Sequence, residues 1–231
     1  MTEFEKAEKR WRCPYNEGCE LECNRCIKFA ALTKMLELSD IPKKYWYNRE
    51  AVKMFMSKDA VDRKMFEALQ SIQENIVDFV RSGEQLYICS NKAGNGKTTW
   101  AIKLMLAYFD AKSFMIPEST RGMFVNVSDY LYQAKDFSNP LPVNYRNDMK
   151  ECELLILDDI AIAGLTDYDF MNLYGVIERR NLAGLATIFT GNITDPDMLE
   201  DILGERLTSR IWNSSTQIEF KGTDKRGEYT I

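Results

Sequence analysis

The residues of this sequence best suited to chemistry are a lysine and a threonine in a glycine-rich turn, and two adjacent acids closing an apolar run. The turn is Asn91-Lys92-Ala93-Gly94-Asn95-Gly96-Lys97-Thr98, with Thr99 next, and it lies between "QLYI" and the helix-like "AIKLMLAYF". A strand, such a turn and a helix together make a phosphate-binding loop. Its backbone N–H groups curl around a β-phosphate, and the helix that follows aims its positive N-terminus at the same point. Gly94 and Gly96 permit the close backbone approach, Lys97 neutralises the β/γ oxygens, and the Thr98 hydroxyl suits Mg²⁺. Asn91 stands where such loops usually open with glycine. Asparagine tolerates a left-handed backbone better than other side chains, so the turn is expected to survive.

A loop of this kind needs an acid for the metal. "ELLILDDI" provides Asp158 and Asp159 directly after four apolar residues, at the carboxyl end of an expected strand, which is where open α/β sheets bind ligands. Asp158 is assigned to Mg²⁺ through water, and Asp159 to the base that polarises an attacking water. The next strand, "ATIFTGN", ends in Asn192, which is either a sensor of the γ-phosphate or a turn residue closing the strand. In "GERLTSRIW", Arg206 and Arg210 share one helix face at i and i+4. That face is ordinary solvated surface unless a neighbouring subunit's phosphate lies opposite it.

A second constellation precedes these. Cys13, Cys19, Cys23 and Cys26 are spaced C-x5-C-x3-C-x2-C, which suits tetrahedral Zn²⁺ in a reducing compartment. The last three also have the spacing of radical-SAM iron–sulfur enzymes, although nothing downstream resembles that barrel. An iron–sulfur cluster is the alternative to zinc. Cys89 and Cys152 read as core residues.

The elements that must position these groups follow from periodicity. The chain has 231 residues and a net charge of −5, so it is long enough for one α/β core with an appendage and lacks a basic nucleic-acid coat. It has no histidine, which removes imidazole catalysis. No apolar stretch is long enough to span a bilayer, and the charged start lacks a signal peptide's apolar segment, so a cytoplasmic location is expected. Residues 59–83 carry apolar positions along one face and predict a single long helix ended by Gly83. Beyond it, "QLYICS", "MFVNV", "LLILDD", "ATIFTGN" and "TQIEFKG" predict five mostly parallel strands. The helices between them are "KTTWAIKLMLAYFDA", "SDYLYQAKDF", "DYDFMNLYGVIERRNL" and "DMLEDILGERLTSRIW", with "SNPLPVNYRND" as a loop. Lys135, Phe137, Tyr145 and Arg146, in and around that loop, are candidates for single-stranded DNA contact.

The order of the phosphate loop, "LLILDDI", "TIFTGN" and "ERLTSRI" resembles the AAA+ ATPases of the DnaC/DnaI helicase-loader family over residues 84–226, more weakly through "DIPKKYW". The resemblance implies an ATPase using ATP and Mg²⁺, with Asn192 as sensor I and Arg210 as the arginine finger acting on an adjacent protomer. Arg206, Arg179 and Arg226 are further contributors. With the change of pattern at residue 84, three domains are expected: a zinc module at 1–40, a helical linker at 41–83 and an AAA+ domain at 84–231, without the helical lid of larger AAA+ proteins. The expected function is loading the hexameric replicative helicase onto single-stranded DNA from an ATP-bound homo-oligomer, in a phage-borne form. The alternatives are an IstB-like transposition ATPase and a non-hydrolysing ATP switch that sequesters a replication protein.

Overall fold

In the computed structural model the described residues are 26–46, 61–136 and 138–222. Five strands form one sheet: β1 (Gln85–Cys89), β2 (Gly122–Asn126), β3 (Leu154–Asp158), β4 (Ala186–Gly191) and β5 (Thr216–Glu219). Their order is β2-β3-β4-β1-β5 and every pairing is parallel. The three central strands are buried along their whole length, which is why they read as unbroken apolar runs. Successive side chains alternate between two cores. Leu86, Ile88, Leu154, Ile156 and Ile188 face one, and Tyr87, Cys89, Leu155, Leu157 and Phe189 face the other. Cys89 and Cys152 are both buried there, as expected of core cysteines.

The first core is covered by α1 (Ile27–Glu37), α2 (Arg63–Glu74), α3 (Ile76–Arg81) and α4 (Lys97–Lys112). Leu32, Met35, Phe66 and Leu69 share that core with Leu86 and Trp100, so packing runs continuously past residue 83. The turn at Gly83 has φ 69°, and a Cβ there would lie 2.1 Å from the Gly184 carbonyl oxygen. Only glycine lets these two turns touch. The other face is covered by α5 (Val127–Ala134), α6 (Tyr145–Glu151), α7 (Asp167–Ala183), α8 (Pro196–Leu203) and α9 (Glu205–Trp212).

Three expected elements differ. The long helix over 59–83 is two helices meeting at Asn75, whose side-chain amide donates to the Ser71 carbonyl at 2.9 Å and ends α2. "DMLEDILGERLTSRIW" is also two helices. Gly204 separates them with φ 78° and ψ 155°, a combination open essentially to glycine alone. Within the expected loop "SNPLPVNYRND", Tyr145 opens α6, fixed by Met149 buried in the second core and by stacking of Tyr145 on Tyr130.

Lys103 on α4 is buried over the face of Trp100, 4.3 Å from its ring centre, and burial pulls its pKa from 10.5 down to about 8. Between those two values the unfolded chain binds the proton and the folded chain does not. Stability therefore rises with pH across that window and gains nothing from this group below it. Lys103→Met is expected to remove about 1–3 kcal/mol of that rise. Denaturant midpoints of both proteins from pH 7 to 10.5 check this; parallel profiles would contradict it.

Candidate nucleotide-binding site

The carboxyl ends of β1, β3 and β4 converge on a cleft of about 490 Å³ lined by Ala93 through Thr99, Asp159, Asn192, Lys44 and Tyr45. The register explains the convergence, since Cys89 pairs with Gly191 and β3 lies beside β4. Gly94 and Gly96 both have positive φ, at 74° and 95°, and Gly96 caps the N-terminus of α4. Asn91 does not. Among the described residues the only non-glycine residues with positive φ are Asp40 and Asp159. The expected left-handed asparagine is therefore corrected: position 91 needs no glycine, because the loop's left-handed turns fall at 94 and 96.

Ser90 organises the loop from beneath. Its buried hydroxyl accepts from the Lys92 N–H at 3.1 Å and pairs with the Asn95 amide. Lys97 Nζ donates to the Lys92 carbonyl at 3.1 Å, so the ammonium sits inside the curl of the loop. Thr98 Oγ1 donates to Asp158 Oδ1 at 2.8 Å. This bond joins the phosphate loop to the acid of β3, and hydroxyl plus carboxylate is an all-oxygen donor set suited to Mg²⁺. Asp158 is 5% exposed, and burial pushes its carboxyl pKa upward against hydrogen bonds from Thr190, Thr98 and Asn126. A cation beside it would relieve that burial cost.

Asp159 leaves β3 with φ 55° and is exposed in the cleft. Asn192 lines the same cleft one residue after β4. Neither Ser90 nor the pair Lys44 and Tyr45 stood out in the sequence. The pair sits on a 3-10 turn, Lys43–Tyr45, with Lys44 Nζ 5.0 Å from the Tyr45 ring centre. "DIPKKYW" held the only signal for them, and its distance along the chain concealed it.

Arg210 does not line the cleft of its own chain. Its guanidinium is paired edge-on with Glu178 on α7, with Nη2 to Oε1 at 3.1 Å, and lies 4.8 Å from the Tyr174 ring centre. Arg206 and Arg179 are exposed, and Arg226 lies outside the described residues. Arg180, beside Arg179, is instead fully buried and ties the Met149, Cys152 and Ala186 carbonyls together. Of the DNA-contact candidates, Lys135 forms an ion pair with Asp169 at 2.7 Å and Tyr145 is stacked on Tyr130, so both have partners within the fold. Arg146 is exposed and Phe137 lies outside the described residues. Cys13, Cys19 and Cys23 also lie outside them. Cys26 caps α1, its Sγ accepting the Phe29 N–H at 3.5 Å. No helix among the described residues is long and apolar enough to cross a membrane.

No protein-family model matches the chain, and no curated protein matches it. Solved structures do. A DnaC helicase loader is similar over 78% of this chain and all of its own, with a TM-score of 0.65 at 20% identity. DnaI is similar over 84% of this chain and all of its own, with a TM-score of 0.62 at 18% identity. The chain has the fold of the helicase loaders. The replication initiator DnaA, solved with AMPPCP and single-stranded DNA, matches 76% of this chain and 51% of its own at a TM-score of 0.56 and 19% identity. The α/β fold with its five parallel strands is what this chain shares with these structures.

Proposed function

We propose that this protein binds ATP with Mg²⁺, hydrolyses it, and uses the cycle to load a hexameric replicative helicase onto single-stranded DNA. The observation that carries the nucleotide reading is the 2.8 Å bond from Thr98 to Asp158, which brings the loop hydroxyl and the strand-end acid together. The likeness to the loader fold supports the rest.

The residues have separable tasks. Lys97 exchanges the Lys92 carbonyl for phosphate oxygens, and the N–H groups of Ala93 to Thr98 cradle the phosphates at the head of α4. Thr98 and Asp158 would hold the metal, which would supply positive charge to offset that of the phosphates. Asp159 accepts a proton from the attacking water and Asn192 orients it. Tyr45 offers a flat ring to the nucleobase. The four cysteines Cys13, Cys19, Cys23 and Cys26 hold zinc in a module that grips the helicase, and metal analysis of the purified protein tests that content.

Arg210 completes the site of an adjacent protomer in an ATP-bound homo-oligomer. Arg210→Ala and Lys97→Ala proteins are each expected to be inactive, yet a mixture should regain turnover, because some interfaces then combine an intact loop with an intact arginine. A mixture as inactive as its parts removes the trans role.

The function as a whole is tested by co-elution with a replicative helicase on a sizing column, with and without ATP. A stoichiometric complex that releases the helicase onto single-stranded DNA supports loading. A complex without turnover, even with single-stranded DNA, would leave the sequestering switch. No complex under any nucleotide condition overturns the loader reading and favours the transposition ATPase.

A further inference from the structure

Thr190 lies in β4, one strand away from the acids, and is fully buried. Its hydroxyl donates to Asp158 Oδ1 at 2.7 Å and accepts from the Asp159 N–H at 3.0 Å. Its carbonyl accepts from the Ile160 N–H at 2.9 Å. The direction of the two hydroxyl bonds is not a matter of choice. A backbone N–H can only donate, so the Thr190 oxygen must accept from it, which leaves the single hydroxyl proton for the carboxylate. One buried side chain therefore holds both acids, the first through its carboxylate and the second through its backbone.

The second bond bears on geometry that needs support. Asp159 has φ 55°, a left-handed conformation costing a non-glycine residue about 1 kcal/mol. That bend turns the chain out of the strand and leaves Asp159 lining the cleft. Asp158 Oδ1 meanwhile accepts from both Thr190 and Thr98, so its rotamer is fixed from the sheet side and from the loop side together.

We propose that Thr190 is a positioning residue for ATP hydrolysis, setting the rotamer of Asp158 toward the metal and the backbone bend that presents Asp159 to the attacking water. It is buried and does not line the cleft, so it acts through the two acids. The proposal rests on the ATPase reading above.

The test uses Thr190→Val, nearly isosteric but without the hydroxyl, Thr190→Ala as a second deletion of it, and Thr190→Ser, which restores it. Melting curves of the nucleotide-free proteins show which variants fold. Titration of a fluorescent ATP analogue with and without Mg²⁺ measures binding, and kcat is separated from KM. In whichever deletion variant melts cooperatively, Mg²⁺ is expected to improve analogue affinity about tenfold less than in the parent, with metal-free affinity unchanged. The kcat should fall about 10- to 30-fold with KM little altered. Thr190→Ser should recover most of both losses. A folded deletion variant with parental kcat and parental Mg²⁺ response would overturn the proposal, as would a serine variant as impaired as valine. If the parent itself shows no turnover, the ATPase reading fails, and the Mg²⁺-dependent binding arm still decides whether Thr190 positions Asp158.

Discussion

Replacing Lys97 with alanine is expected to weaken ATP binding by roughly 100-fold, equivalent to about 3 kcal/mol, while leaving the fold intact. Lys97 is 7% exposed, and its ammonium is held at the Lys92 carbonyl, within the curl of the loop at the head of α4. It is the lysine inside the curl of the loop, where phosphates would sit, so no other side chain would replace it. Lys92, the other lysine of the loop, is exposed and donates outward to the Lys221 carbonyl at 3.1 Å. Lys92→Ala should therefore change affinity by less than threefold, a loss under about 1 kcal/mol. Isothermal titration with ATP and Mg²⁺ measures both. Equal losses in the two variants, or ATP binding unaffected by Lys97→Ala, would mean that the nucleotide does not sit in this loop.

Asp159→Asn is expected to lower kcat by about 100- to 1,000-fold with nucleotide affinity retained, since the amide keeps the shape and hydrogen bonding but cannot accept the proton. Asparagine also tolerates the left-handed backbone at 159, so its effect is chemical and not conformational. Glutamate at this position would reach one methylene further, but the backbone also matters. With φ 55° the backbone itself turns residue 159 toward the cleft, and aspartate accepts this conformation more readily than glutamate does. Asp159→Glu is accordingly expected to gain no activity and to lower stability by up to about 1 kcal/mol. Single-turnover hydrolysis and a melting curve on each variant check both statements. Near-parental turnover in Asp159→Asn would remove the base from this position.

The groups proposed to carry the chemistry were legible because each lies inside a short motif whose neighbours give its context. An apolar run before and a helix-like run after place Lys97 and Thr98 at a helix start, and apolar runs place Asp158, Asp159 and Asn192 at strand ends. Parallel strands covered on both faces then bring those ends together. The alternation of Leu86 and Ile88 with Tyr87 and Cys89 into two cores accounts for the unbroken apolar runs that marked the strands. Helix breaks were less legible. Asn75 and Gly204 interrupt apolar periodicities that continue in register on either side, and only the side-chain bond to Ser71 and the glycine-only backbone at 204 show where the chain turns.

Amino-acid order by itself marked the residues proposed to meet phosphate and metal, because they belong to a loop and to strand ends whose local geometry is set within a few residues. Tertiary structure alone decided what holds them. Ser90 under the loop, Thr190 between the acids, Glu178 on Arg210, and Lys44 with Tyr45 at the cleft are partners brought together by packing from other elements. It also gave Lys135 and Tyr145 their neighbours Asp169 and Tyr130. The physical reason is the same in each case. A hydroxyl, a carboxylate or a ring has no role until the group opposite it is fixed, and the sheet order β2-β3-β4-β1-β5 fixes those opposites across strands that are distant in sequence.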